Sequence, residues 1–230
     1  MTMNEEAATF ISDAASTGRI GVLYHTDADG IAGAVIIRKL LERLGSKDIV
    51  TIPLGRGINP HSPETREQLV SLGLLRLIVV DSGSRAGEIL PGIPTLVIDH
   101  HRPSGRPRVE VFFNTYREEP ARPASLAVYD ICNSIIDVED LDWVAAIGTV
   151  GDLGPRAPFS IVERSFAKYG KRNVANSVVL INAGRRHRDY SVQLAFDVLL
   201  SATEPVDIVE HRVAGAEELE RMRREVQDEL

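Results

Sequence analysis

Eight residues of this chain could act together. The run His25-Thr26-Asp27-Ala28-Asp29-Gly30 offers an imidazole and two carboxylates. Asp81 opens Asp-Ser-Gly-Ser, Asp99, His100 and His101 are consecutive, and Asp152 lies in Gly-Thr-Val-Gly-Asp-Leu-Gly. Carboxylates brought this close cannot all stay ionised without a counter-charge. Divalent cations are the natural counter-charge, and aspartate oxygens with imidazoles suit a hard to borderline ion such as Mn²⁺. Two such ions about 3.5–4 Å apart would hold a phosphoryl group and lower the pKa of a water between them. Singly, each piece has a plainer explanation as a helix cap, a turn former or a surface histidine. Their joint placement is what argues for chemistry.

That placement follows from the elements around them. Apolar runs predict strands over 19–25, 48–54, 77–80, 95–98 and 109–113, and helical spacing marks 30–44 and 64–72 between them. The strands are nearly continuous in apolar residues, as in a parallel sheet covered on both faces. The β-α-β rhythm predicts a doubly wound α/β fold. We expect a mainly parallel five-stranded sheet of order 2-1-3-4-5, followed by a helical region. In that order strands one, three and four are neighbours, so their carboxyl ends fall within about 10 Å of each other. Ligands of open α/β sheets bind at that edge. Helices are expected over 124–136, 140–150, 161–169, 172–183, 192–200 and 216–230, with the glycines around Asp152 making a tight turn.

At 230 residues, and about 150 residues per domain, the chain makes one or two domains. Apolar residues are 43% and aromatic ones 5%, so the core is mainly Val, Ile, Leu and Ala. Cys132 is the single cysteine, which excludes an internal disulfide and a cysteine-cage zinc site. The acidic N-terminus does not resemble a signal peptide, and no run approaches the ~18 apolar residues of a membrane span. We expect a cytoplasmic protein without a membrane partner. A net charge of −7 argues against coating nucleic acid by bulk positive charge, but leaves room for a local basic groove.

HTDADG, VVDSGS, VIDHH and GTVGDLG, in this order over about residues 20–155, resemble motifs one to four of the DHH phosphoesterase superfamily. The compact first motif is most similar to that of archaeal RecJ-like members. The resemblance implies two Mn²⁺ or Mg²⁺ ions. Asp27 and Asp29 would each bind one ion and Asp81 both, His100 and Asp152 would complete the second site, and His25 the first. His101 would contact the scissile phosphate, and Asp99 would orient a histidine. Arg56 and Arg102 lie in arginine-rich loops that suit phosphate. Asn114 and Ser125 bracket a loop that relatives place near the metals. No aromatic-basic interleaving marks a stacking platform, and Tyr24 and Phe112 read as core residues. The Gly184–Arg188 cluster (GRRHR) reads first as a helix C-terminus.

The resemblance implies a divalent-metal-dependent phosphoesterase cutting phosphodiester bonds. Its foremost form is a RecJ-like single-strand-specific exonuclease or its catalytic domain. The other readings are hydrolysis of nanoRNA, cyclic dinucleotides or pyrophosphate, and a non-catalytic replication-complex subunit. Single-stranded nucleic acid or a short oligonucleotide is the expected substrate, and a replication or repair protein an expected partner. We expect a catalytic domain over 1–202, with its sheet over about 19–113 and a helical part over about 124–202. A helical connector would occupy 203–230. The C-terminal substrate-binding domain usual in such relatives is not expected within these residues.

Overall fold

The computed structural model describes residues 2–229 of the chain. Five short strands form one all-parallel sheet: β1 (Ile20–Tyr24), β2 (Ile49–Pro53), β3 (Arg76–Val80), β4 (Thr95–Asp99) and β5 (Val111–Asn114). Their order is β2-β1-β3-β4-β5. Tyr24 pairs with Val80, and Val80 with Ile98, so the first, third and fourth strands end level with one another. Every residue of β1 and β4 is buried, which is why both read as unbroken apolar runs.

The alternating side chains feed two cores. Val22, Tyr24, Ile78, Val80 and Ile98 face a large helical layer. Leu23, Ile52, Leu77, Val79 and Val97 face a smaller layer that includes Leu69 of α3 (Pro63–Ser71). The large layer holds α1 (Met3–Ala14), α2 (Ala28–Arg43), α4 (Ala124–Asn133), α5 (Asp142–Leu153), α6 (Ser160–Tyr169), α7 (Lys171–Arg186) and α8 (Val192–Ser201). A short α9 (Pro205–Val209) leads to α10 (Ala216–Asp228), which packs on α7 and α8 through buried Ala216, Leu219 and Met222. No helix among the described residues is long and apolar enough to cross a membrane.

Two features differ from the sequence reading. Helix α1 was not expected, yet Thr2 and Glu5 form a capping box and Ala7, Phe10, Ile11 and Ala14 share its buried face. The glycines around Asp152 do not make a turn before it. Gly148 and Gly151 lie inside α5, and Asp152 stands in that helix's last turn. A Cβ on Gly148 would stand 2.2 Å from Ser125 Oγ and 3.0 Å from Ala32 Cβ, and one on Gly151 2.6 Å from Ala28 Cβ. The glycines therefore let α5 close on α2 and α4; only Gly154, past the helix, has a positive φ. We expect Gly148→Ala to destabilise the protein by about 2–3 kcal/mol through overpacking, read as a fall in the urea unfolding midpoint.

Candidate metal centre

The site is built on the level ends of β1, β3 and β4. After β1 the chain turns through His25 and Thr26 to Asp27, the N-cap of α2, whose Oδ1 accepts from Gly30 N at 3.1 Å. Gly30 ends the motif for a steric reason, since a Cβ there would stand 2.2 Å from the His25 carbonyl oxygen. The loop thus folds back on the first turn of α2 and aims His25 and Asp27 at the sheet edge. Asp27 Oδ2 lies 2.8 Å from His25 Nδ1.

Asp81 is at the centre. It follows β3 with a φ of 60°, a left-handed conformation that aspartate tolerates better than most side chains. Its N–H donates to the Ile98 carbonyl at 2.9 Å, which ties the turn to β4. One carboxylate oxygen lies 3.5 Å from His25 Nδ1; the other lies 3.3 Å from His100 Nε2 and 3.6 Å from His101 Nδ1. The carboxylate is only 2% exposed. Three buried atoms meeting here, His25 Nδ1, Asp81 Oδ1 and His100 Nε2, have no aligned hydrogen-bond partner. Buried polar atoms are rarely left so, and an unsatisfied one costs about 1–3 kcal/mol.

The donor set fits divalent cations. Two groups, His25–Asp27–Asp81 and Asp81–His100–His101, each bring their ligand atoms within 4.8 Å of one another, and they share Asp81. Carboxylate oxygens mixed with imidazole nitrogens suit a hard to borderline ion. The protonation of the cluster also fits. Burial works against charge on His25, but the Asp27 and Asp81 carboxylates override it and raise the imidazole to about 10. His100 is likewise raised to about 9 by Asp81, Asp29 and Asp152, against the opposing effect of burial. Asp27 is pulled well below the usual carboxylate range: burial opposes this, and His25 overrides it. Protons on the histidines here do the work that a cation would do.

The other expected site residues sort into three roles. Asp99 is fully buried and takes His101 Nδ1 on Oδ1 at 2.9 Å and Ser84 Oγ on Oδ2 at 3.1 Å. Its carboxyl stays low because the His101 hydrogen bond and charge outweigh its burial. His101 is raised first by that bond. Asn114 supports the same histidine by donating to the His101 carbonyl at 3.1 Å.

Asp29 lies outside both groups. Its Oδ2 accepts from Ala124 N at 2.8 Å, and its Oδ1 accepts from Ser125 N at 3.0 Å and from Ser125 Oγ. Pro123, the N-cap of α4, gives no side-chain cap, so Asp29 satisfies that helix start from a distance. Burial and the Asp81 charge push Asp29 up to about 8, against the pull of those donors. Its Oδ2 is still 3.8 Å from His100 Nε2, and Asp152 Oδ2 lies 3.9 Å from His100 Nδ1. Burial, opposed by the nearby His100, raises Asp152 as well.

Ser125, which the resemblance puts near the metals among the substrate-binding residues, is fully buried, with its N–H and hydroxyl on Asp29. Arg56 stacks 4.9 Å over the Tyr190 ring and donates to the His187 carbonyl at 2.9 Å. Arg102 lies exposed, just past the histidine pair.

One contact was missed. Arg185, near the end of α7, donates to Asp27 Oδ2 at 3.1 Å. Beside it Asn182 Oδ1 accepts from Ala28 N, and Tyr190 Oη bonds Thr26 Oγ1 at 2.8 Å. The Gly184–Arg188 cluster does end a helix, but it also braces the first motif.

A parallel doubly wound sheet with a carboxylate–imidazole cluster at its carboxyl edge defines the class, a doubly wound α/β protein with a candidate metal centre. The chain belongs to the DHH family, whose N-terminal domain matches residues 19–149. RecJ from Thermus thermophilus, solved in complex with Mn²⁺, is similar in fold at a TM-score of 0.73 and 20% identity, covering 99% of this chain and 38% of that one. An exonuclease RecJ bound to manganese is similar at 0.74 and 19% identity, covering 99% and 67%. CDC45 from Entamoeba histolytica is similar at 0.50 and 15% identity, covering 86% and 50%. The chain therefore spans little more than a third of the Thermus RecJ. No curated protein matches it.

Cation binding requires neutral imidazoles, whereas His25 and His100 are cationic at neutral pH. We expect Mn²⁺ binding to release protons and its affinity to climb as pH rises from about 6 towards about 9. Calorimetry in two buffers of different ionisation enthalpy checks this; an equal heat in both would contradict it.

Proposed function

We propose that this chain hydrolyses phosphodiester bonds in single-stranded nucleic acid with two divalent cations, Mn²⁺ or Mg²⁺. The observation that carries the reading is the convergence of His25 Nδ1 and His100 Nε2 on the buried Asp81 carboxylate, where neither nitrogen nor Asp81 Oδ1 has an aligned hydrogen bond. His25, Asp27 and Asp81 would hold one cation. Asp81 and His100 would hold the other, with Asp152 and Asp29 at its margin. Bound there, the cations would supply charge for the phosphoryl oxygens and acidify water.

The chain's own groups do the rest. His101 has its Nδ1 engaged by Asp99, which leaves Nε2 free to donate a proton to the leaving oxygen. Asp99 keeps that imidazole oriented and protonated. Because Nδ1 is taken, His101 serves better as proton donor than as cation ligand, although it lies in the second group. Arg102, exposed beside it, suits a phosphate oxygen of the same strand. Residues 1–202 are read as the catalytic unit and 203–230 as its extension. The fold likeness to exonuclease RecJ supports a nucleic-acid substrate over a smaller phosphate.

The test offers purified protein with Mn²⁺ three substrates side by side: 5′-labelled single-stranded DNA, short RNA and pyrophosphate. Ladders from DNA or RNA are expected. Phosphate release from pyrophosphate alone would replace this reading with the small-substrate one, and no turnover with no bound metal would favour a non-catalytic subunit. Asp81→Ala is expected to lower turnover by at least ~10²-fold through loss of the shared ligand. His101→Ala is expected to lower kcat by about 10²–10⁴-fold while Mn²⁺ binding persists. Near-parental kcat in His101→Ala would remove that residue from the chemistry.

A further inference from the structure

Helix α10 lies in the part of the chain read as an extension, yet one of its side chains reaches a buried group of the catalytic unit. Leu219 and Met222 bury one face of the helix, and Glu225 follows one turn further along. Its Oε2 meets His187 Nε2 at 2.8 Å. His187 is the C-cap of α7 and is only 2% exposed. Asp189 N donates to His187 Nδ1 at 3.3 Å, so the ring proton on Nε2 is the one donated to Glu225. Nothing in the chemistry of the metal centre uses this buried imidazole.

The residues on either side of His187 hold the first motif. Asn182 Oδ1 accepts from Ala28 N at 3.2 Å, Arg185 donates to Asp27 Oδ2 at 3.1 Å, and Tyr190 Oη bonds Thr26 Oγ1 at 2.8 Å. Thr26, Asp27 and Ala28 are thus each fastened to the segment from Asn182 to Tyr190. That segment leaves α7 in a tight turn. Tyr190 N donates back to the His187 carbonyl at 3.0 Å, and Tyr190 takes a φ of 48°, a left-handed conformation uncommon for a large side chain. Such backbone persists only where its surroundings over-determine it. Arg56 donates to the same carbonyl at 2.9 Å and stacks over the Tyr190 ring, and the Leu54 carbonyl accepts from Tyr190 Oη at 3.2 Å. Glu225 supplies the remaining tie, and of these partners it alone comes from beyond residue 202.

We propose that Glu225 is a positioning residue for the metal centre: through His187 it fixes the turn after α7, and that turn fixes Thr26, Asp27 and Ala28. The proposal rests on the cation-binding reading for what this loop holds, and on the contacts themselves for the link. Helix α10 is then part of the support of the site and not a passive connector. A segment or partner that drew α10 away from α7 would loosen Asp27 without touching it.

Amide hydrogen exchange of the full chain in EDTA and calorimetric titration with Mn²⁺ test this together, apart from turnover. The amides of Ala28 and Gly30, held by Asn182 and Asp27, report on the loop directly. Glu225→Ala is expected to speed their exchange about tenfold while the amides of β1 and β4 keep the parental rate. Mn²⁺ should bind it about fivefold more weakly. Glu225→Gln keeps an acceptor for His187 Nε2 and should recover most of both. Tyr190→Phe cuts the link at its far end. It should loosen the same amides, and combining it with Glu225→Ala should add little, because the two lie on one path. Glu217→Ala removes an exposed carboxylate elsewhere on α10 and should match the parent. The proposal is overturned if Glu225→Ala matches the parent within about twofold in both measurements, which would leave Glu225 only docking α10. Equal losses in Glu225→Gln or Glu217→Ala would overturn it by tracing the effect to charge alone. Strand amides that speed up as much as the loop would overturn it by reducing the effect to global stability. A parent that binds no Mn²⁺ would sink the cation-binding reading, while exchange at Ala28 and Gly30 would still decide the link to Glu225.

Discussion

The structure depends on how negative charge is held at the shared end of β1, β3 and β4. Asp81 is almost fully buried, within 3.6 Å of nitrogens from three histidines, and close enough to Asp29 to raise that residue's pKa. Buried carboxylates repel, and each loses the hydration that would stabilise its charge. Three compensations are visible. His25 and His100 hold protons well above their ordinary range, Arg185 reaches Asp27, and the first turn of α4 surrounds Asp29 with donors. A divalent cation bound there would relieve the same repulsion with fewer protons, so its affinity would be coupled to pH.

Around that charge lies a shell of residues that fix where the carboxylates and imidazoles point. Asp99 clamps His101, and Ser84 and Asn114 bear on Asp99 and on the His101 backbone. Ser125 anchors Asp29, and Gly148 leaves room for Ser125. Tyr190 and Asn182 hold the loop between β1 and α2. The shell draws on α4, α5, α7 and the segment after α7, so the helical half is part of the site and not a separate attachment. A change as small as one methyl group on α5 is felt at Asp29 through a single serine.

How legible this was in sequence varied with the range of the interactions. The five strands and their order could be read because buried parallel strands are locally apolar and their carboxyl ends locally acidic. Asp27, Asp81, Asp99, His100 and His101 could be placed at one edge for the same reason. Asp29 read as one more acid of the motif, but its partners are 95 and 96 residues away, at a helix start that lacks its own cap. That missing cap, Pro123 before Ala124, was the available signal. The glycines around Asp152 read as a turn because glycines more often make turns than close helix contacts; the partners that make them contact glycines, Ala28, Ala32 and Ser125, lie far off in sequence. Arg185 was hidden in a charged helix end, and its reach to Asp27 follows from where α7 lies. Helix α1 was legible in its capping box and its spacing at Ala7, Phe10, Ile11 and Ala14.

Fold likeness alone does not fix an activity, since proteins as different in name as exonuclease RecJ and CDC45 are both similar to this chain in fold. The energetics of the site bear on the choice. Each buried polar atom without a partner costs about 1–3 kcal/mol, comparable to a large part of a domain's net stability of about 5–15 kcal/mol. Two imidazole nitrogens converge on the Asp81 carboxylate, one oxygen of which also lacks an aligned hydrogen bond, and a further expense is the left-handed backbone at Asp81. Apolar or hydrogen-bonded replacements at His25, Asp81 and His100 would remove these costs. A cation bound between these carboxylates and imidazoles would offset those costs, beside an exposed histidine held by Asp99.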